Sequence, residues 1–154
     1  MLLERYVESF LLVDPKEDIK ISVEVPELEG SEKQIKWAND IREDLFINYV
    51  ETMGLYLKEQ AEYKTNKEVI EEGRRLYDAG NKEESTKYVI EKLGNWERVR
   101  YAVETLEDLE ERQKLMGKYL KEVKETLETT DKARIYIDNR YKYKVDGMVY
   151  LKKL

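Results

Sequence analysis

Two stretches of this chain repeat apolar residues every three or four positions for about thirty residues each, and this repeat limits the possible folds most. One stretch runs from residue 31 to about 62 and the other from 96 to 129. Such spacing places the apolar side chains on one side of an α-helix. Only two prolines and seven glycines occur in 154 residues. We therefore expect an α+β fold that is mostly helical, with two long helices (31–62 and 96–129) in a single domain, 1–154.

The expected β-structure is small and comes from the two ends of the chain. Apolar and polar residues alternate over 19–25, which predicts a half-buried strand. Near the other end, Asp146-Gly147 lies between two alternating runs and predicts a β-hairpin over 141–152. We expect these strands to form one antiparallel sheet. Residues 2–13 have helical spacing and are expected to form a helix.

Shorter helices are expected between and after the two long ones. Apolar spacing predicts helices at about 66–78 and 83–93, which end at Gly80 and Gly94 respectively. Residues 131–140 can be read as a short helix or as a strand, and we favour the helix.

Composition removes several classes of activity. The chain has no cysteine and no histidine, so thiol chemistry, thiolate zinc sites and the usual general base are absent. No serine lies in a Gly-x-Ser-x-Gly elbow, and no glycine-rich phosphate loop or Asp-rich calcium loop is present. Carboxylate chemistry stays open because 34 acidic residues are available. We expect a non-enzymatic protein without cofactor or metal.

The charge is distributed unevenly along the chain. The net charge is −6; residues 1–30 are acidic and 131–154 are basic and rich in tyrosine. A basic, aromatic segment of this kind is typical of nucleic-acid binding. A buried tyrosine face with lysines protecting an edge strand explains the same residues, as does pairing with the acidic strand. The nucleic-acid candidates are Arg134, Arg140, Tyr141, Lys142, Tyr143 and Lys144.

The second long helix carries a dense group of acidic residues. These side chains fit a solvated helix face, and they are also the candidates for contact with a basic protein partner. Trp37 and Trp96 lie on apolar stripes, where burial in the core is favoured over partner binding. The acidic candidates are Glu104, Glu107, Asp108, Glu110 and Glu111.

The segment GSEKQIKWANDIR, residues 30–42, begins with a capping box in which Ser31 and Gln34 exchange hydrogen bonds. Together with ARIYIDNR, residues 133–140, it resembles a family of short proteins from bacteria, phages and other mobile elements. The family pattern is Gly-Ser/Thr-x-Lys-Gln-Ile-x-Trp-Ala-x-x-Ile-Arg followed by Ala-x-x-aromatic-Ile-Asp-Asn-Arg; Tyr136 stands where Trp is commoner. The resemblance implies that the two segments meet in space. The expected polar cluster, structural or binding, is Ser31, Gln34, Trp37, Arg42, Asp138, Asn139 and Arg140.

The family resemblance implies a biological context rather than a chemistry. We expect a binding protein that engages a macromolecular protein partner, such as a host defence component that it inhibits in an anti-CRISPR-like manner. A nucleic-acid accessory protein that uses the basic C-terminal segment is the alternative. Glu4 and Glu8 interrupt the first apolar run, so we expect no signal peptide, no membrane partner and a cytoplasmic location.

Overall fold

A computed structural model of the chain describes residues 1–12 and 14–143. It is mostly helical with one small antiparallel sheet. The α+β class is therefore confirmed. The elements in chain order are β1 (Leu2–Tyr6), a 3-10 turn (Ser9–Leu11), β2 (Lys20–Glu24), α1 (Glu32–Asp78), α2 (Lys82–Leu93), α3 (Trp96–Thr129), α4 (Ala133–Asp138) and α5 (Arg140–Tyr143).

The strand that pairs with β2 is not the one expected from the sequence. β2 confirms the strand expected at 19–25, but it pairs with β1, in a register that places Leu3 opposite Val23. The helix expected over 2–13 is wrong, because its first residues form the strand β1. Side chains of β1 alternate: Leu3 packs against the core, whereas Leu2 stays exposed. Tertiary pairing overrides a helical pattern that is too short to nucleate alone. Residues 141–143 are helical, and the remainder of the expected hairpin lies outside the described residues.

α1 is one helix of 47 residues where two, at 31–62 and 66–78, were expected. The residues around 62–66 include no proline or glycine, so nothing there costs enough to end a helix. Gly54 does not interrupt α1 either. A Cβ atom at this position would lie 2.5 Å from Cγ1 of Val7 and 3.1 Å from Cβ of Leu11. Glycine is therefore what allows the N-terminal segment to approach α1.

The other helices agree with expectation. α2 begins one residue before the expected 83, and Gly94 ends it with φ of 107°, a backbone conformation that favours glycine. α3 has the expected bounds, and Oδ1 of Asn95 accepts a hydrogen bond from the Arg98 N–H at 2.9 Å at its start. Residues 133–138 form the favoured helix α4 rather than a strand.

Close contacts divide the chain into two compact units, 1–58 with 114–154, and 59–113. Both long helices contribute to both units. The first unit has the larger core, whose most fully buried side chains include Leu45, Leu127 and Tyr136. The second unit has a small core of Val69, Val89 and Val99. A single folding domain stays a prediction. No helix among the described residues is both long and apolar enough to cross a bilayer.

Candidate partner-binding surfaces

All five acidic candidates lie on α3 in the second unit, and all are exposed. Four of them recur at spacings of three and four and so share one side of the helix. We call this set the acidic face: Glu104, Glu107, Asp108 and Glu111. Glu110 lies one turn after Glu107 but away from the other three, at the edge of this side. The structure thus brings four of the five candidates together and leaves Glu110 at the edge of the set.

The carboxylates of the acidic face are not held by ion pairs in the part of the chain that the structure describes. Within residues 1–12 and 14–143, none of its four carboxylates has an ion pair or hydrogen bond. Arg112 is one turn beyond Asp108, but its guanidinium binds Glu59 through two hydrogen bonds of 2.7 and 3.2 Å. Like charges three and four residues apart repel by a few tenths of a kcal/mol per pair. The acidic face therefore weakens its own helix.

A groove lies beside the acidic face in the same unit, among the end of α1, α2 and the start of α3. Its volume is about 270 Å³, close to the lower end of known ligand pockets. The buried side chains of Ile70, Val89 and Val99 line it. Tyr77 and Trp96 also line it and are 53% and 52% exposed. We call this feature the α1–α3 groove.

The groove is a feature that the sequence patterns did not indicate. Trp96 was expected in the core, and Tyr77 and Val103 have the helical spacing of core residues, yet 45% or more of each of the three is exposed. Periodicity identifies the apolar side of a helix but not how much of it a neighbour covers. Because α2 has only 12 residues, the rims of α1 and α3 stay open beside it.

The capping box predicted at the start of α1 forms. The Ser31 N–H donates to Oε1 of Gln34 at 3.0 Å, and the Gln34 N–H donates to Oγ of Ser31 at 3.2 Å. These two side chains thus satisfy the backbone of the first helical turn. The box is a structural feature, since both side-chain groups are occupied by it.

The two family-like segments lie against one another. The Glu29 N–H donates to the Asp131 carbonyl at 2.7 Å, and the Ala133 N–H donates to the Glu29 carbonyl at 3.0 Å. Lys132 forms an ion pair with the Glu29 carboxylate. A Cβ atom at Gly30 would lie 3.1 Å from that of Ala133. Small residues at both positions therefore permit this close approach.

The polar members of the two segments do not gather into one network. The side chains of Asn139 and Arg140 donate to carbonyls of the preceding helix α4, at 2.8 and 2.7 Å, and Asp138 is exposed. Arg42 is buried, and its guanidinium donates to the Pro26 carbonyl at 2.7 Å and to Oδ1 of Asn39 at 3.0 Å. Burial lowers the pKa of Arg42, and a smaller electrostatic effect of Tyr136 opposes the shift.

Trp37 and Arg140 form an exposed contact between the two segments. The guanidinium of Arg140 lies 5.2 Å from the Trp37 ring centroid and 4.6 Å from that of Tyr141. Trp37 was expected in the core, but 48% of it is exposed, and Tyr141 is 69% exposed. We call this set the aromatic–arginine site. Trp, Tyr and Arg are the residues most enriched at binding hot spots.

The other nucleic-acid candidates are less well positioned to act together. Arg134 and Lys142 are exposed, and the backbone of Tyr143 ends α5. Lys144 lies outside the described residues. The family resemblance placed Trp37 and Arg140 in one expected cluster, but residue spacing alone did not connect Trp37 with the basic segment, because about a hundred residues separate the two. Only the packing of α4 beside the start of α1 brings them together.

Neither a search for metal ligands among the described residues nor comparison with known proteins assigns a function to these surfaces. Among the residues described, no three acidic side chains converge on a point that would hold a metal ion. No family model, curated protein or solved structure matches this chain.

Proposed function

We propose that this chain is a non-enzymatic binding protein that engages a basic surface of a protein partner through the acidic face of α3. The observation that carries this proposal is the presence of four exposed carboxylates on one side of the helix that form no ion pair with any of the residues described. Such a face attracts a positively charged surface and steers its approach. Its self-repulsion is a stability cost that partner binding would relieve.

An exposed aromatic side chain beside the acidic face offers the contact area that charges alone do not. Tyr101 lies one turn before Glu104 on α3 and is 65% exposed. An exposed aromatic ring beside charges is a common anchor of protein interfaces, since it supplies contact area at a low entropy cost. Acidic face and anchor together favour a protein surface over a small ion as the ligand.

The resemblance to short proteins of phages and mobile elements supports a host defence component as the partner. Host defence nucleases, CRISPR nucleases among them, bind nucleic acid in positively charged channels. An acidic helix face is complementary to such a channel. We therefore propose inhibition of a host defence nuclease as the biological role.

Affinity capture from host lysate, with and without added nuclease, tests this proposal. The bait is the full tagged chain, and the variant carries lysine at Glu104, Glu107, Asp108 and Glu111. We expect the wild-type chain to retain a stoichiometric protein after nuclease treatment and the variant to lose it. Equal retention of that protein by both chains contradicts the proposal.

A nucleic-acid accessory role is the second candidate, and the aromatic–arginine site favours it. A guanidinium between exposed rings offers one positive charge and two stacking surfaces, as single-stranded nucleic acid requires. We expect binding that weakens steeply with salt and is lost when Arg140, Lys142 and Lys144 are changed to alanine together. This role is contradicted if binding to single-stranded oligonucleotides is unaffected by added salt and by the triple alanine substitution.

A further inference from the structure

We propose that the α1–α3 groove seats a basic amphipathic helix of the protein partner. This inference rests on the proposed function and specifies the partner chemistry at the same surface. The argument has three parts: the groove has a fixed floor, its α3 wall has helical spacing, and the acidic face begins where the groove ends.

The floor of the groove is held by close packing between α1 and α2. Oγ of Ser85 donates to the Gly73 carbonyl at 2.6 Å. A Cβ atom at Gly73 would lie 2.5 Å from Cγ1 of Val89, so only glycine allows this approach. Both residues of the hydrogen bond line the groove. A preformed site of this kind does not lose affinity to ordering upon binding.

The α3 wall presents Trp96, Val99 and Val103, at spacings of three and four. Such a row is a ridge of the kind that packs into the surface of a second helix. Recognition of an amphipathic helix by a groove uses the same spacing in the ligand. The apolar side of the occupant would contact Trp96 and Tyr77.

The charge around the groove selects a basic occupant. Arg74 and Asp78 line the groove and offset one another in charge. Glu107 lies one turn beyond Val103 on the same side of α3, and Glu104 lies beside it on the acidic face. A helix lying along the groove would place its polar flank beside the acidic face. Lysine or arginine on that flank is therefore complementary, and glutamate is repelled.

The test uses the full chain and two labelled 18-residue helical peptides with leucines at identical heptad positions. One peptide carries lysine on its flanks, and the other carries glutamate. Fluorescence anisotropy measures binding to the wild type, to Tyr77→Ala, and to Tyr6→Ala as the control. The control removes a ring of similar exposure from the other unit. Val103→Ser is a second groove variant, and circular dichroism confirms that each variant folds.

We expect the lysine peptide to bind saturably and the glutamate peptide not to bind. Tyr77→Ala and Val103→Ser should weaken binding by about tenfold or more, as truncation of a central interface residue does, and Tyr6→Ala should not. Equal binding of both peptides, no binding of either, or equal effects of Tyr77→Ala and Tyr6→Ala overturns the inference. Self-association of the chain that Tyr77→Ala abolishes also overturns it, in favour of a second copy as the occupant.

The same variants separate this inference from the proposed function. If affinity capture retains a protein that needs the acidic face but ignores Tyr77→Ala, the proposed function stands and helix docking is wrong. If no captured protein depends on the acidic face, the proposed function itself fails.

Discussion

The guanidinium of Arg140 lies 5.2 Å from the ring centroid of Trp37, and this contact joins two segments that are about a hundred residues apart. Arg140 makes cation–π contacts with the rings of both Trp37 and Tyr141. Its guanidinium also donates a hydrogen bond to the Ile137 carbonyl at 2.7 Å. The contact therefore fixes α5 beside the start of α1.

Removal of this contact should cost a measurable amount of stability. Arg140→Ala is expected to lower the free energy of unfolding by about 1 kcal/mol, the size of an exposed cation–π contact. Arg134→Ala is the matched control, because Arg134 is exposed on the neighbouring helix α4 and its variant should stay within about 0.5 kcal/mol of the wild type. Urea unfolding followed by circular dichroism measures both. Equal losses for the two variants would show that the ring contacts contribute nothing.

The ion pair between Glu59 and Arg112 should stabilise the second unit. Glu59 retains 15% side-chain exposure, so solvent screens this pair less than a fully exposed one. Glu59→Gln is expected to lower the free energy of unfolding by about 1 kcal/mol. Glu72→Gln is the control: it breaks an exposed pair with Arg75 and should have no measurable effect. If neither substitution changes the free energy of unfolding in the same measurement, the ion pair does not stabilise the second unit.

Two of the glycines within the long helices should respond to alanine in opposite ways. Gly54→Ala brings a methyl group against Val7 and Leu11 and should destabilise the chain by about 1–3 kcal/mol. Gly117→Ala meets only Tyr56, at 3.8 Å, and should stabilise it by about 0.5–1 kcal/mol because alanine is the better helix former. Thermal unfolding of both variants checks the difference in sign. Stabilisation by Gly54→Ala would contradict the close approach of the N-terminal segment.

Tyr49 should make stability fall at alkaline pH. Burial raises the pKa of Tyr49 above its ordinary value of 10.0, and the negative charge of Glu128 raises it further. Between the ordinary pKa and the raised pKa, the unfolded chain has lost this proton and the folded chain has kept it. Stability is therefore complete below pH 10 and falls as the pH rises, by at most about 1.4 kcal/mol per pH unit from this group. Tyr49→Phe should flatten that slope, and unfolding at pH 9 to 11 measures it; an unchanged slope contradicts this assignment.

Local signals in the sequence predicted local structure well. Ser31 and Gln34 are three residues apart, so their capping box needs no distant partner. The bounds of α3 follow from Gly94, Asn95 and a continuous apolar stripe. The acidic candidates were identified by composition, and helical geometry then places Glu110 at the edge of the set.

Features that depend on distant packing were not predictable in this way. Leu3 belongs to a strand because β2 lies beside it, although its own neighbours have helical spacing. Trp96 and Tyr77 are exposed because short α2 leaves them uncovered. Gly73 indicates the groove floor only once Val89 is known to approach it.

The central claim, that the acidic face of α3 binds a protein, is tested most directly by calorimetric titration of the captured partner with two single charge reversals. Glu107 belongs to the acidic face, whereas Glu125 lies about five turns further along the same helix, and both are exposed. We predict that Glu107→Lys weakens binding by about tenfold or more, whereas Glu125→Lys leaves it within about twofold. Equal effects of the two reversals, or no effect of either, would contradict the claim.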